Sequence, residues 1–179
     1  MSSSNNPFRL EIANEQSREV NETRLLAAVQ KILEEHEIAS AEISLALVDD
    51  LTMRRLNRQY LNHDYETDVL SFLLEYDSDR EFLSGQLIVS TDTAARVAEE
   101  LHVAMDDEVL LYVVHGTLHL VGCDDTDELS AVEMRGAERH YLQMWGVEHR
   151  WDEASSGEPS GASDSPQVHQ RGPLDREEG

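Results

Sequence analysis

Two strand-like runs, VLSFLL (69–74) and QLIVS (86–90), are separated only by a polar loop of about a dozen residues, with no helical stretch between them. Elsewhere strands and helices alternate. FRLEI (8–12) reads as a first strand, and Asn21 caps a helix whose Leu25, Leu26, Val29, Ile32 and Leu33 recur at helical spacing. EISLALV (42–48) sets Ile43, Leu45 and Leu47 against smaller or polar residues, the period of a half-buried strand. Asp50 is placed to cap a helix carrying Met53, Leu56 and Tyr60. Thr91 or Asp92 opens a helix to about Leu101, and Asp106 opens the next, through Val121. A last helix from about Asp127 is expected to bury Met134, Ala137, Tyr141 and Met144 or Trp145. This order predicts an α+β fold: a small mixed β-sheet of about four strands covered by about five helices, in a single domain.

The domain is expected to span residues 1–151. From Asp152 the text becomes DEASSGEPSGASDSPQVHQRGPLDREEG, with three of the four prolines and almost no apolar residue. Such a segment buries too little surface to offset its ordering entropy, so 152–179 is expected to be a disordered acidic tail. The tail's seven acids and two arginines account for −5 of the net charge of −23, which leaves −18 on the domain. A field of that sign repels nucleic acids and membranes, so a polyanionic substrate has to be met by a local basic patch or a bound cation. No apolar window is long enough for a membrane helix, and MSSSNNPFRLEI lacks the basic and apolar blocks of a secretory signal. The single cysteine, Cys123, cannot form an internal disulfide, which suits the reducing cytoplasm. These features together lead us to expect a cytoplasmic protein with no membrane partner.

The stretch HGTLHLVGCDD (115–125) carries the chemistry. On a helix, residues four apart share a face with Cβ atoms ~5–6 Å apart, so His115 and His119 can aim two imidazoles at one ion. Gly122 stands where a helix can stop by turning left-handed, and that reversal can bring Asp124 or Asp125 over the histidine face. Three protein ligands and an open position are the composition of a catalytic metal site. The same residues also fit a plainer reading, in which both histidines belong to a buried helix and Asp125 caps the next one. The spacing H-x3-H-x2-G-x2-D also occurs in metzincin-type metalloproteases, whose first histidine is followed by a glutamate base. Here that position is Gly116, which disables hydrolysis by that route.

With these residues in view, the chain resembles the YbeY family of bacterial zinc-dependent endoribonucleases that mature ribosomal RNA. Its signature, H-G-x-L-H-L-x-G-Y-D-H, aligns with His115 to Asp125. TDVLSF (67–72), LNRQY (56–60) and GQLIVS (85–90) follow the family's other motifs in order and spacing, so the likeness covers roughly residues 8–148. The resemblance implies an α+β fold and a single zinc held by His115, His119 and, in place of a third histidine, Asp125. It further implies action on single-stranded ribosomal RNA, with ribosomal RNA and the small ribosomal subunit as partners. A non-catalytic, metal-stabilised ribosome-assembly factor is the alternative from another class.

The chain departs from the family pattern at three positions. Asp125 is an ordinary zinc donor, but an anionic ligand lowers the site's charge and tilts it toward harder metals such as manganese or iron. Cys123 stands for the family's tyrosine. Leu61 stands for an arginine thought to contribute to catalysis, and it cannot stabilise charge on a phosphodiester. Arg55 and Arg58, at i and i+3 upstream, are therefore the candidate RNA-binding residues, although they also fit a solvated helix face. Asp68, as an acceptor for a ligand histidine, and Ser71, as a donor to phosphate, are the candidate catalytic residues.

Overall fold

Strand β1 (Phe8–Asn14) runs parallel to β2 (Ser40–Val48), and the helix between them, α1 (Glu22–Glu35), is capped at Asn21, whose side chain accepts from Arg24 N. The computed structural model describes residues 6–148, so the expected domain end at 151 and the tail 152–179 lie outside the described residues. After β2 come α2 (Asp50–Leu61), β3 (Val69–Asp77) and β4 (Phe82–Ser90), then α3 (Thr91–Leu101), α4 (Met105–Leu120) and α5 (Glu128–Met144). The sheet order is β1-β2-β4-β3; β2 and β4 are parallel, and β3 is antiparallel to β4. The described residues thus form the α+β fold with four strands and five helices. None of these helices is long and apolar enough to cross a membrane.

The alternation in β2 does what its period implies: Ala41, Ile43, Leu45 and Leu47 are all buried on one side of the sheet. Central strand β4 is covered on both faces, with Leu83, Leu87 and Val89 in the main core and Ile88 in a smaller one. Helix α4 fills the main core almost all round, from Glu108 to Leu120, as a helix apolar on every side must. Helix α2 covers the other face, where Met53 packs with Val48, Leu70 and Ile88, and Leu61 lies against that cluster.

Several boundaries differ from the sequence expectation. Residues 78–81 alone join β3 to β4, because Asp77 closes the turn by accepting from Asp79 N and Arg80 N. The stretch reads as polar because this hairpin keeps one face in solvent: a bulge between Leu73 and Glu75 leaves Leu74 and Tyr76 exposed. Helix caps fall one or two residues early. Asp49 and Ser90, which have extended backbones, cap α2 and α3, and α4 begins after Ala104 with no side-chain cap. On α5, Met134 and Tyr141 are buried as expected, Ala137 packs against the core, and of Met144 and Trp145 it is Trp145 that does so while Met144 is exposed.

Asp50, freed from capping, ties α2 to α3. Its carboxylate accepts from Ser90 Oγ at 2.5 Å, Thr93 Oγ1 at 2.7 Å and Arg96 Nη1 at 3.0 Å. Burial works against the charged form, but these three donors outweigh it and hold the carboxyl below its ordinary value of 3.8. A carboxyl with a depressed folded pKa adds stability above that ordinary value and loses it as pH falls through the folded one. Asp50→Asn is therefore expected to cost about 1–3 kcal/mol at pH 7. The gap to the unsubstituted protein should close as urea titrations are repeated below pH ~4.

Candidate metal centre

Helix α4 ends at Leu120 because Gly122 adopts φ +97°, a left-handed conformation in which a side chain would be strained. Gly122 N donates to His119 O at 3.1 Å and Cys123 N to Leu118 O at 2.9 Å, the paired bonds of a Schellman stop. The chain thereby turns back over the last turn of the helix. Asp124 then fixes the loop: its Oδ1 accepts from Asp125 N at 2.7 Å and Thr126 N at 3.2 Å. The result brings Asp125 to the face that carries both histidines.

His115 Nε2 and His119 Nε2 lie 3.0 Å apart, and the Asp125 carboxylate oxygens lie 3.9 and 3.8 Å from them. Their donor atoms all fall within 4.8 Å of one another, the only such group of three among the described residues. Donors bound tetrahedrally at ~2.0–2.2 Å sit about 3.3–3.6 Å apart, so the set matches the size of a zinc-like divalent cation.

The far sides of both rings are held. His115 Nδ1 meets Glu138 Oε1 at 2.6 Å and His119 Nδ1 meets the Cys123 carbonyl at 3.0 Å. With the protons on Nδ1, both Nε2 lone pairs point to the shared space, the tautomer a metal requires. The field has the sign a cation needs. Burial alone would lower the pKa of His115, but the bond to Glu138 and the charges of Glu138, Asp68 and Asp125 raise it above its ordinary value. The negative end of the α4 dipole adds to this at His119. The donor set therefore fits a divalent metal.

Glu138 was not legible as a partner, since it lies 23 residues from His115 on another helix. A signal was nevertheless present: Glu138 falls four residues after Met134 and four before Leu142, on the buried stripe of α5 where an acid needs a reason. It holds His115 from behind. Asp68 Oδ1 accepts from Thr67 Oγ1 and Val69 N, and the charge of Asp68 acts on His115. Glu138→Ala is expected to weaken metal binding about 10–100-fold, and Glu138→Gln less, as measured by competition with a chromophoric chelator.

Ser71 lies on the α4 side of β3, where its Oγ would be 2.9 Å from a Cβ built on Gly116. Position 116 thus faces the sheet, so a glutamate base of the metalloprotease kind has no room there. Burial raises the Cys123 thiol, and Cys123 packs against the core; its contribution to the site is its carbonyl. The expected Arg55–Arg58 pair is arranged differently. Arg58 shares Asp64 with Arg54, one turn away, while the charge of exposed Arg55 acts on Asp49 at the other end of α2.

The family model described as Endoribonuclease YbeY matches residues 11–146. A relative of that name from Salinibacter ruber is 39% identical over 132 residues, covering 70% of this chain and 84% of its own. Another of that name, from Carboxydothermus hydrogenoformans, is 40% identical over 142 residues, covering 77% of this chain and 98% of its own. A Thermotoga maritima protein known from its solution structure superposes with a TM-score of 0.56 at 24% identity, covering 78% of this chain and 89% of that one, a likeness of fold.

Proposed function

The chain belongs to the endoribonuclease YbeY family, and on that footing we propose that it is a metal-dependent endoribonuclease cutting single-stranded RNA in ribosomal RNA maturation. Its partners on this reading are ribosomal RNA and the small ribosomal subunit, and its place of work is the cytoplasm. The observation that carries the proposal is the convergence of His115, His119 and Asp125, with both histidine Nδ1 atoms held from behind.

His115, His119 and Asp125 would hold the ion, zinc in the first instance and manganese or iron as the carboxylate allows. When bound, such a cation supplies Lewis acidity to a phosphoryl oxygen and acidifies water. Glu138 holds the His115 proton at Nδ1, and the Cys123 carbonyl does the same for His119. Ser71 Oγ, on the β3 face that meets α4 at Gly116, is the candidate donor to a phosphate oxygen. Asp68 adds a negative charge beside His115.

The direct test is cleavage of single-stranded RNA by purified protein before and after chelator treatment, with elemental analysis of protein prepared without added metal. Activity lost with chelator and restored by one divalent ion per chain is the expected result. Cleavage indifferent to the chelator overturns the metal dependence.

One observation favours a second reading. Leu61, where the family resemblance places an arginine, lies against the small core of Val48, Met53, Leu70 and Ile88 and offers no charge to a phosphate. A metal-stabilised assembly factor without nuclease activity would then show one ion per chain and no cleavage.

A further inference from the structure

Arg54 grips Asp64 with a two-pronged contact, Nε to Oδ1 at 3.1 Å and Nη2 to Oδ2 at 3.2 Å. Arg58 reaches the same Oδ1 from one helical turn on, at 3.5 Å. All three side chains are at least half exposed, at 51%, 69% and 54%. Two guanidiniums closing on one small anion in this geometry would accept a phosphate equally well, since phosphate and carboxylate offer the same paired oxygens. An exposed pair of this kind contributes little to stability, so a second anion displaces it easily. Arg55 stands beside them, so three of the chain's 14 basic residues fall within five positions of a chain whose net charge is −23. Glu66 also acts on Arg54, from the loop that follows α2.

That loop carries aromatic rings next to the clamp. His63 and Tyr65 stack with centroids 5.3 Å apart and planes 14° apart, joined by a 3.1 Å bond between Tyr65 Oη and His63 Nδ1. Tyr60, half exposed at the end of α2, leans on Phe72 at 5.5 Å. The loop is held in place by fully buried Asn57, whose Nδ2 donates to Tyr65 O at 2.8 Å and whose main-chain carbonyl accepts from His63 N at 3.4 Å. Three residues beyond Tyr65 is Asp68, whose charge acts on His115 in the metal centre. Cations that meet a phosphate, beside rings that stack a base, are the two parts of a single-strand binding track.

We propose that the Arg54–Asp64–Arg58 clamp, with the His63–Tyr65 stack and Tyr60, is a docking subsite for one phosphate and an adjoining base of single-stranded RNA. Asp64 holds the phosphate's place until the RNA displaces it. This rests on the proposed function, in which the substrate is single-stranded RNA. The clamp then works as a filter, because an isolated anion gains only the exchange with Asp64, whereas a nucleotide also gains the stacking.

The test is fluorescence anisotropy of a labelled 2′-O-methyl uridine decamer with the full-length, metal-loaded protein, over a range of salt, with cleavage of unmodified RNA followed in parallel. Asp64→Asn is expected to tighten binding up to about fivefold. Arg54→Ala combined with Arg58→Ala should weaken it about tenfold or more and reduce the salt slope by about two. Tyr65→Ala should weaken it about fivefold or more and leave that slope unchanged. Arg54, Arg58 and Asp64 are at least half exposed and Tyr65 is 39% exposed, so melting temperatures should stay close to that of the unsubstituted protein. If that protein cleaves RNA but Asp64→Asn fails to tighten binding, the subsite is wrong and the nuclease reading stands. If it neither binds nor cleaves RNA, both fall. If Asp64→Asn tightens binding of an oligoglutamate peptide as much as of RNA, and Tyr65→Ala costs nothing, the clamp serves an acidic protein segment and the proposal is overturned.

Discussion

Replacing His119 by alanine is expected to weaken zinc binding by more than about a hundredfold and to abolish RNA cleavage with it. The two imidazoles are placed to act as a chelate because they stand one turn apart, with Nε2 atoms 3.0 Å apart, on a helix that packs against both the sheet and α5. Removing one leaves an imidazole and a single carboxylate on a loop. The substitution also takes the ring donor from the Cys123 carbonyl, which adds a folding cost of about 1 kcal/mol. Asp125→Ala separates the two effects, because it removes a ligand from a partly exposed loop without opening the core. Asp125→His, which restores the residue that the family resemblance places there, should keep the ion. Dialysis against a chelator followed by elemental analysis measures occupancy, and an RNA gel measures cleavage. Native metal content in both alanine variants would remove His119 and Asp125 from the centre.

How far the fold and the site can be read from sequence depends on how local each feature is. The alternation of β2, the stripe of α1 and the missing helix between β3 and β4 are each written within one stretch of chain, and each is found in the fold. The same holds for the histidine pair and for Gly122, since a helical turn and a left-handed stop are short-range geometry. Glu138 and Asp124 are different. Glu138 reaches His115 only because α4 and α5 pack together, and no spacing within HGTLHLVGCDD points to it. Asp124 is interchangeable with Asp125 in the sequence, whereas in the loop one fixes the backbone and the other faces the rings. The arginines of α2 show the same limit. Arg55 and Arg58 share a face at i and i+3, but so do Arg54 and Arg58 at i and i+4. Asp64, beyond the end of the helix, gathers the second pair.

Restoring the protease-like glutamate with Gly116→Glu is expected to unfold the domain rather than confer peptidase activity. A Cβ at this position would lie 2.9 Å from Leu87 Cδ2 and 2.9 Å from Ser71 Oγ, closer than real Cβ contacts come, and 3.0 Å from Val69 Cγ2, tighter than most. Glycine fits here because α4 lies directly on β3 and β4. Alanine alone should be destabilising, since overpacking a core costs about 1–3 kcal/mol and the helix propensity gained returns only about 1. Glutamate adds four more heavy atoms and a charge facing the apolar side chains of Val69 and Leu87. That combination should cost more than about 4 kcal/mol, comparable with the lower end of the ~5–15 kcal/mol that holds a typical domain together. Thermal melts followed by circular dichroism, with limited proteolysis at 25 °C, measure the loss. A Gly116→Glu protein that melts with the unsubstituted chain would show that α4 can lift off the sheet, and crowding at position 116 would no longer explain the absence of a glutamate base.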